Sequence, residues 1–262
     1  MSAVTYEIVG KTALITINRP EARNALNSAA WAGLADAWYA ARADDDVWTL
    51  VITGAGDKAF CAGADLKEMS ERKALAEKEG RQFTSAMPAE TPMRGIEMPK
   101  PVIAAINGTA VGGGLELALA ADIRIAANHA RLGLPEVMRG IIPSAGGVTK
   151  LPRLIPFGLA LEMLCTGKII SADEAYRIGI LNQVVSSASL MTAAMEMAEK
   201  INENGPLAVR AVKEGAWKSL QMPLSEAMHL ELLLQNRVRQ SEDAWEGPRA
   251  FAEKRKPVFK GR

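Results

Sequence analysis

Residues Pro101 to Pro143 read PVIAAINGTAVGGGLELALAADIRIAANHARLGLPEVMRGIIP, and the rest of the chain is organised around them. The apolar, largely β-branched run Val102 to Ile106 predicts a buried strand that ends at the turn signal Asn107-Gly108. Gly112, Gly113 and Gly114 follow, and then LELALAA opens a helix. A strand that passes through glycines into a helix leaves the first helical N–H groups unpaired and pointing outward. Glu116 sits in the first turn of that helix among alanines and leucines, and Glu136 follows Pro135 in a second apolar setting. Two carboxyls and an outward-facing backbone donor make a candidate acid/base site.

Composition sets the class. The chain has 262 residues, 48% hydrophobic and 23% charged, enough for a sizeable core in one large domain or a domain with an appendage. Thirty-one basic residues against 30 acidic ones leave a net charge of +1, which gives no general attraction to nucleic acid or to an anionic membrane surface. The beginning, MSAVTYEIVGKTALITIN, carries no leader signature. The most apolar window, Ala110 to Ala127, is interrupted by Glu116, Asp122 and Arg124, so no membrane span is expected. Cys61 and Cys165 are isolated, without metal spacing, and fit a reducing compartment. A cytoplasmic enzyme is the expectation.

Outward from the central stretch, punctuation places the elements. Thr5 to Asn18 predicts a hairpin turning at Gly10-Lys11, and Arg19-Pro20 stops it. Ser28 is the expected cap of a helix running to about Ala43, and Val47 to Thr53 reads as a buried strand. Asp65 is positioned to cap a charged helix that runs to Gly80. Arg81 to Pro99, with Phe83, Met87, Met93, Pro88 and Pro92, reads as a loop or lid. Ser144 is the expected cap of a helix through Gly146, Gly147 and Lys150; Pro156 opens another that Gly167 ends. Ser171 to Glu174 forms a capping box for a short helix, and LNQVV is a last short strand. From about Ser189 the period is helical, with helices opened by Pro206 and Pro223. The order is strand–strand–helix units first and a helical appendage last, an α/β core over residues 1–195 and a helical region over 196–262.

The chemistry narrows by elimination. Glu116 alone could favour its helix terminus through the dipole, but two carboxyls in apolar contexts flanking a glycine turn favour function. Burial raises carboxyl pKa values, and a neighbouring like charge raises one of them further, so such a pair can divide into an acid and a base. Gly112 to Gly114 match neither a dinucleotide fingerprint nor a phosphate-binding P-loop. An oxyanion-binding helix terminus is the functional reading. Cys61 has no convincing base, since the two histidines, His129 and His229, lie in unrelated contexts; it reads as a small buried hydrophobe, and a metal site is not expected. The basic C-terminal cluster of Lys254, Arg255, Lys256, Lys260 and Arg262 reads as a solvated end that could meet a phosphate-bearing ligand.

AFCAGADLKEM, PVIAAINGTAVGGGLELALAADIRIA and LPEVMRGIIPSAGG resemble the signature segments of the crotonase superfamily, the enoyl-CoA hydratase/isomerase family. RPEARNAL, TGKIISADEAYRIGILNQVV and AFAEKRKPVFKGR fit as well, so the resemblance spans essentially the whole chain. It implies a crotonase-type spiral of ββα units followed by a C-terminal helical trimerisation region, and a homotrimer or homohexamer. It implies an acyl-CoA thioester as substrate, with coenzyme A as part of the substrate and no separate cofactor. Residue by residue, it assigns the oxyanion hole to the backbone N–H groups of Ala64 and Gly113 and the catalytic carboxyls to Glu116 and Glu136. Ala62, Ala64, Asp65, Leu66, Lys67 and Gly113 would line the CoA, and the C-terminal basic residues would approach its phosphates. Isomerases of the family generally keep only the second carboxyl, so both together point to addition or removal of water. The segments Ile142 to Leu154 and Ser241 to Arg262 resemble the carnitinyl-CoA dehydratase branch. The acyl pocket is expected to draw on Phe83, Met87 and the Gly140 to Ser144 turn.

Overall fold

The structure, a computed structural model, describes residues 2–83, 87–88 and 90–262. Parts of the Arg81 to Pro99 loop, namely residues 84–86 and 89, lie outside the described residues. The chain opens with an antiparallel hairpin, β1 (Val4–Val9) and β2 (Thr12–Ile17), and then α1 (Ser28–Ala43). Strand–strand–helix units follow: β3 (Thr49–Gly54), β4 (Ala59–Cys61) and α2 (Leu66–Lys78), then β5 (Val102–Ile106), β6 (Thr109–Val111) and α3 (Gly113–Ala120). The next unit is β7 (Ile123–Ala127), β8 (Arg131–Gly133), a 3-10 turn at Pro135–Arg139, α4 (Gly147–Leu154) and α5 (Phe157–Thr166). β9 (Ile169–Ser171), α6 (Ala172–Arg177), β10 (Gln183–Val185) and α7 (Leu190–Asn202) complete the sheet-bearing part. α8 (Pro206–Ser219), α9 (Leu224–Arg239) and α10 (Asp243–Ala252) form the helical end.

Each unit sends its first strand to one sheet and its second to another. The larger sheet has the order β1-β2-β3-β5-β7-β10, parallel from β2 onward, and the smaller has the order β4-β6-β8-β9. That alternation is the spiral expected from the resemblance. Parallel strands covered on both faces read as continuous apolar runs, and alternate residues of β3 and β5 divide accordingly. Leu50, Ile52, Val102, Ala104 and Ile106 face the main core with α1, while Val51, Ile103 and Ala105 pack under Leu190, Ala194 and Ala198 of α7. α7 crosses positions 195 and 196 as one continuous helix, so a division there cuts through an element that covers the sheet. Lys100 enters β5 with its ammonium donating to the carbonyls of Ala41 and Asp44, which closes the C-terminal end of α1; burial pushes its pKa down to about 8.

Two expected caps are corrected. Asn27, not Ser28, caps α1, its side chain accepting the Ala30 N–H at 2.9 Å. The cap of α4 is Gly146, with no side-chain cap, and Ser144 plays no part in it. The Ser171 hydroxyl does cap α6 by accepting the Glu174 N–H at 3.2 Å, while the Glu174 carboxylate turns to Arg177 and leaves the box half closed. β6, β8 and β9, of three residues each, went unread because three residues do not establish a period.

Close backbone contact holds the two central units together. A Cβ on Gly114 would overlap the carbonyl of Cys61, so the first turn of α3 rests directly on the end of β4. Because backbone cannot give way as a flexible side chain can, Gly114→Ala is expected to cost about 3 kcal/mol. Thermal unfolding would register this as a fall of roughly 6–12 °C in Tm.

Candidate active site

The β4–α2 connection and the N-terminus of α3 face one another. A Cβ on Gly113 would lie 3.5 Å from the Gly63 Cα and 3.8 Å from the Ala64 nitrogen, so these two backbones pass in van der Waals contact. Gly113 is the first residue of α3, and its N–H has no acceptor within the helix. Ala64 forms an isolated parallel bridge with Leu26, in which the hydrogen bonds run from Leu26 N to Gly63 O and from Asp65 N to Leu26 O. The Ala64 N–H therefore points away from Leu26. Two backbone donors thus meet beside a cavity of about 580 Å³, whose wall includes Ala62, Ala64, Leu66 and Gly113.

Asn107 fixes the other side of this construction. Its side-chain oxygen accepts the Gly54 N–H at 3.1 Å, and its amide donates to Gly56 O at 2.7 Å and Ala59 O at 3.2 Å. The turn read from Asn107-Gly108 is also the clamp on the β3–β4 loop.

Both glutamates reach the same cavity. Glu116 is 4% exposed and one carboxylate oxygen, Oε1, accepts the N–H groups of Ala145 at 2.6 Å and Gly147 at 2.9 Å. The carboxylate thus docks at the N-terminus of α4, the place Ser144 was expected to serve. Burial raises its pKa while those two N–H groups, Lys150 and Arg94 oppose the rise. Glu136, in the 3-10 turn after Pro135, lies behind the glycine turn: a Cβ on Gly112, which holds φ +57°, would be 3.3 Å from its Oε1. Its Oε2 has no hydrogen-bond partner among the described residues. Burial, reinforced by the Glu116 charge, pushes the Glu136 carboxyl up to about 7. Burial thus raises both carboxyls, but at Glu116 the backbone donors oppose the rise, whereas at Glu136 the neighbouring like charge adds to it and brings its titration near neutrality.

Other expected residues divide. Met87, Gly140, Ile141, Ile142 and Ser144 line the cavity, whereas Phe83 does not. Asp65 and Lys67 stand outside its wall. Asp65 caps α2 through the Glu68 N–H at 3.3 Å and pairs with Arg19 at 2.9 Å, and Lys67 is exposed. The C-terminal basic segment is tied to the start of α10: Asp243 accepts the N–H groups of Lys260 and Gly261, and Glu246 accepts that of Val258. None of those basic residues is in the wall of the Glu116 cavity. Trp31 and Met69 are wall residues that the sequence did not single out, and Met93, read there only as part of the Arg81 to Pro99 loop, joins them. Among the described residues, no group of three or more His, Cys, Asp or Glu side chains is placed to hold a metal ion, and no helix is long and apolar enough to cross a membrane.

Comparison with known proteins agrees along the whole chain. Residues 7–262 match the family model described as enoyl-CoA hydratase/isomerase. The (E)-benzylidenesuccinyl-CoA hydratase of Thauera aromatica is 42% identical over 258 residues, covering 98% of this chain and 99% of that protein. The carnitinyl-CoA dehydratase of Salmonella agona is 43% identical, covering 95% of this chain and 94% of that protein. The crystal structure of an enoyl-CoA hydratase from Mycobacterium tuberculosis H37Rv superimposes with a TM-score of 0.91 at 36% identity, covering 100% of both chains.

The Glu136 carboxyl carries a stability signature. Its native pKa is raised from 4.5 to about 7, so the folded state keeps a proton that the unfolded chain releases. Its contribution to stability is present below the unfolded value and is lost as pH rises through about 7. Glu136→Gln, which cannot ionise, is expected to gain about 1–2 kcal/mol over wild type between pH 5 and pH 8, after allowance for solvent screening of a half-buried group. Melting temperatures of both proteins at the two pH values measure it.

Proposed function

Because the chain belongs to the enoyl-CoA hydratase/isomerase family, we propose that it is a hydro-lyase that adds water across the 2,3 double bond of a 2-enoyl-CoA thioester. The observation that carries this reading is the convergence of Glu116 and Glu136 on one cavity beside the N–H groups of Ala64 and Gly113. An isomerase needs a single carboxyl to shuttle one proton. Water addition needs a base for the water and an acid for carbon, and two carboxyls with opposed environments supply both.

In the proposed reaction the thioester oxygen accepts hydrogen bonds from the Ala64 and Gly113 N–H groups. Glu116, whose carboxylate accepts two N–H groups at the α4 N-terminus, takes a proton from a water whose oxygen forms the bond to C3. The electron pair of the double bond moves toward the thioester oxygen, and the enolate so formed is stabilised by the two backbone donors. Glu136 delivers its proton to C2, which restores the thioester. Glu116 is then protonated and Glu136 ionised, and proton exchange with solvent returns the starting state. Dehydration runs through the same steps in reverse. Water is the only co-substrate the scheme requires.

The helical end supports an assembled state. Leu224, Leu232, Leu233, Trp245 and Phe251 are exposed, from 57% to 87%, on helices that follow a complete sheet-bearing core. Apolar faces of that size suit burial against neighbouring copies, as in the trimer or hexamer implied by the resemblance. Light scattering on the purified protein should give three or six times the 28.0 kDa chain mass; a monomer would oppose this part of the reading.

Loss of the conjugated thioester absorbance of crotonyl-CoA tests the activity, with crotonobetainyl-CoA run beside it for the carnitinyl-type acyl group. Glu116→Gln and Glu136→Gln should each lower kcat by roughly 10²–10⁴-fold. For hydration, kcat/KM should fall as pH rises through about 7, because Glu136 must be protonated, and the dehydration direction should show the opposite slope. Retention of activity in Glu116→Gln would instead favour isomerisation by Glu136 alone.

A further inference from the structure

A second cavity, of about 590 Å³, adjoins the first, and Met93 is in the wall of both. The first is lined largely by apolar side chains and the two carboxyls. The second is different in kind: its wall carries five Lys or Arg residues against three acidic ones. Two of those acids are already engaged. Asp122 accepts from Lys213 at 2.6 Å and from the Trp217 indole at 3.1 Å, and Glu214 pairs with Lys218 and with Arg237, each at 2.6 Å.

One donor in that wall is poorly served. Lys150, half-buried on α4, makes one long contact from its ammonium, 3.5 Å to the Met93 carbonyl, and forms no ion pair within 4 Å among the described residues. Charged groups that bear on it are Glu116 and Asp122, which favour its charge, and Arg124 and Lys213, which oppose it; burial lowers its pKa. Buried donors without acceptors are costly, and a desolvated cation is costlier still. A ligand that presents a carboxylate here would give the Lys150 ammonium a partner. The side chain between the cavities is a methionine, an unbranched thioether that adapts its shape to a neighbour.

We propose that the cavity beyond Met93 receives the far end of the acyl chain and that Lys150 binds a carboxylate there, so that the preferred substrates are thioesters of dicarboxylic acids, enoyl at one end and anionic at the other. This rests on the hydratase reading for the chemistry at the thioester end. The selectivity follows from pairing: a neutral alkyl end leaves Lys150 unsatisfied, while a carboxylate of matching reach does not.

The test separates binding from turnover. Calorimetric titration of the full protein with saturated adipyl-CoA and hexanoyl-CoA, and with the eight-carbon pair suberyl-CoA and octanoyl-CoA, reads the preference without any reaction. At one of the two lengths the dicarboxylic ester should bind about tenfold or more tightly than its neutral match. Lys150→Met should erase that ratio, and Lys150→Arg, which keeps a cation at the position, should retain part of it. Equal affinities at both lengths, no measurable binding, or a ratio unchanged in Lys150→Met would overturn the proposal. Turnover of 2-hexenedioyl-CoA and 2-hexenoyl-CoA then judges the chemistry separately. A binding preference without hydration of either ester would sink the hydratase reading and leave the anionic subsite standing; hydration without preference would do the reverse.

Discussion

The contact on which the molecule depends is between two stretches of backbone. α3 begins so close to the end of β4 that Gly114 admits no side chain against the Cys61 carbonyl, and one residue earlier Gly113 runs past Gly63 and Ala64. Strands from consecutive units pair in the smaller sheet, β4 with β6 and β6 with β8, and that pairing sets the height at which each following turn emerges. The turn after β4 therefore meets the turn after β6, and the turn after β8 brings Glu136 up behind both. Removing side chains at this junction is what lets main-chain donors, rather than side-chain atoms, face the cavity. Such donors are fixed by the fold and need no reorganisation when charge develops in front of them.

The two glutamates show how the same residue type is given different duties by its surroundings. Glu116 is the more deeply buried, yet its carboxylate is met by two N–H groups at a helix N-terminus, and Lys150 and Arg94 lie within range of its charge. Glu136 has an oxygen with no partner among the described residues, with the Glu116 charge nearby. Burial raises both, but donors oppose the rise at the first while the like charge adds to it at the second. The asymmetry needs no special residue at Glu136. It arises because α4 starts where it does, directly over α3.

The acyl side of the cavity is less regular. Its wall comes from α1, α2, the loop before β5 and the turn before α4, elements distant in sequence that share no motif. Met69, Met87 and Met93 recur there, and thioethers accommodate varied shapes better than branched side chains do. In the proposed reaction, rigid backbone would set the chemistry at the thioester end, and adaptable side chains would set the fit at the acyl end.

Much of this was legible in the chain itself. Proline and glycine punctuation placed the hairpin, most of the helices and β3, β5 and β10 of the larger sheet, whereas β7 was not distinguished within the apolar window Ala110 to Ala127. The glycine turn, Glu116 and Glu136 stood out because an ionisable residue in an apolar run requires an explanation, and whole-chain motif resemblance joined them to Ala64 and Gly113. The three-residue strands of the smaller sheet were not legible, since their pairing is with partners in other units rather than with neighbours in sequence. The cap at Ser28 was misplaced by one residue because Asn27 and Ser28 are both good capping types and only backbone conformation chooses between them. Docking of Glu116 onto the N–H groups of Ala145 and Gly147 belongs to tertiary structure alone, as does the placement of Lys150 in the wall of the neighbouring cavity. The amino-acid sequence determined which groups could carry charge and where the backbone could turn. Only the packing of successive units against one another decided which of those groups meet, because distances between turns of a spiral are set by strand pairing and are written nowhere along the chain.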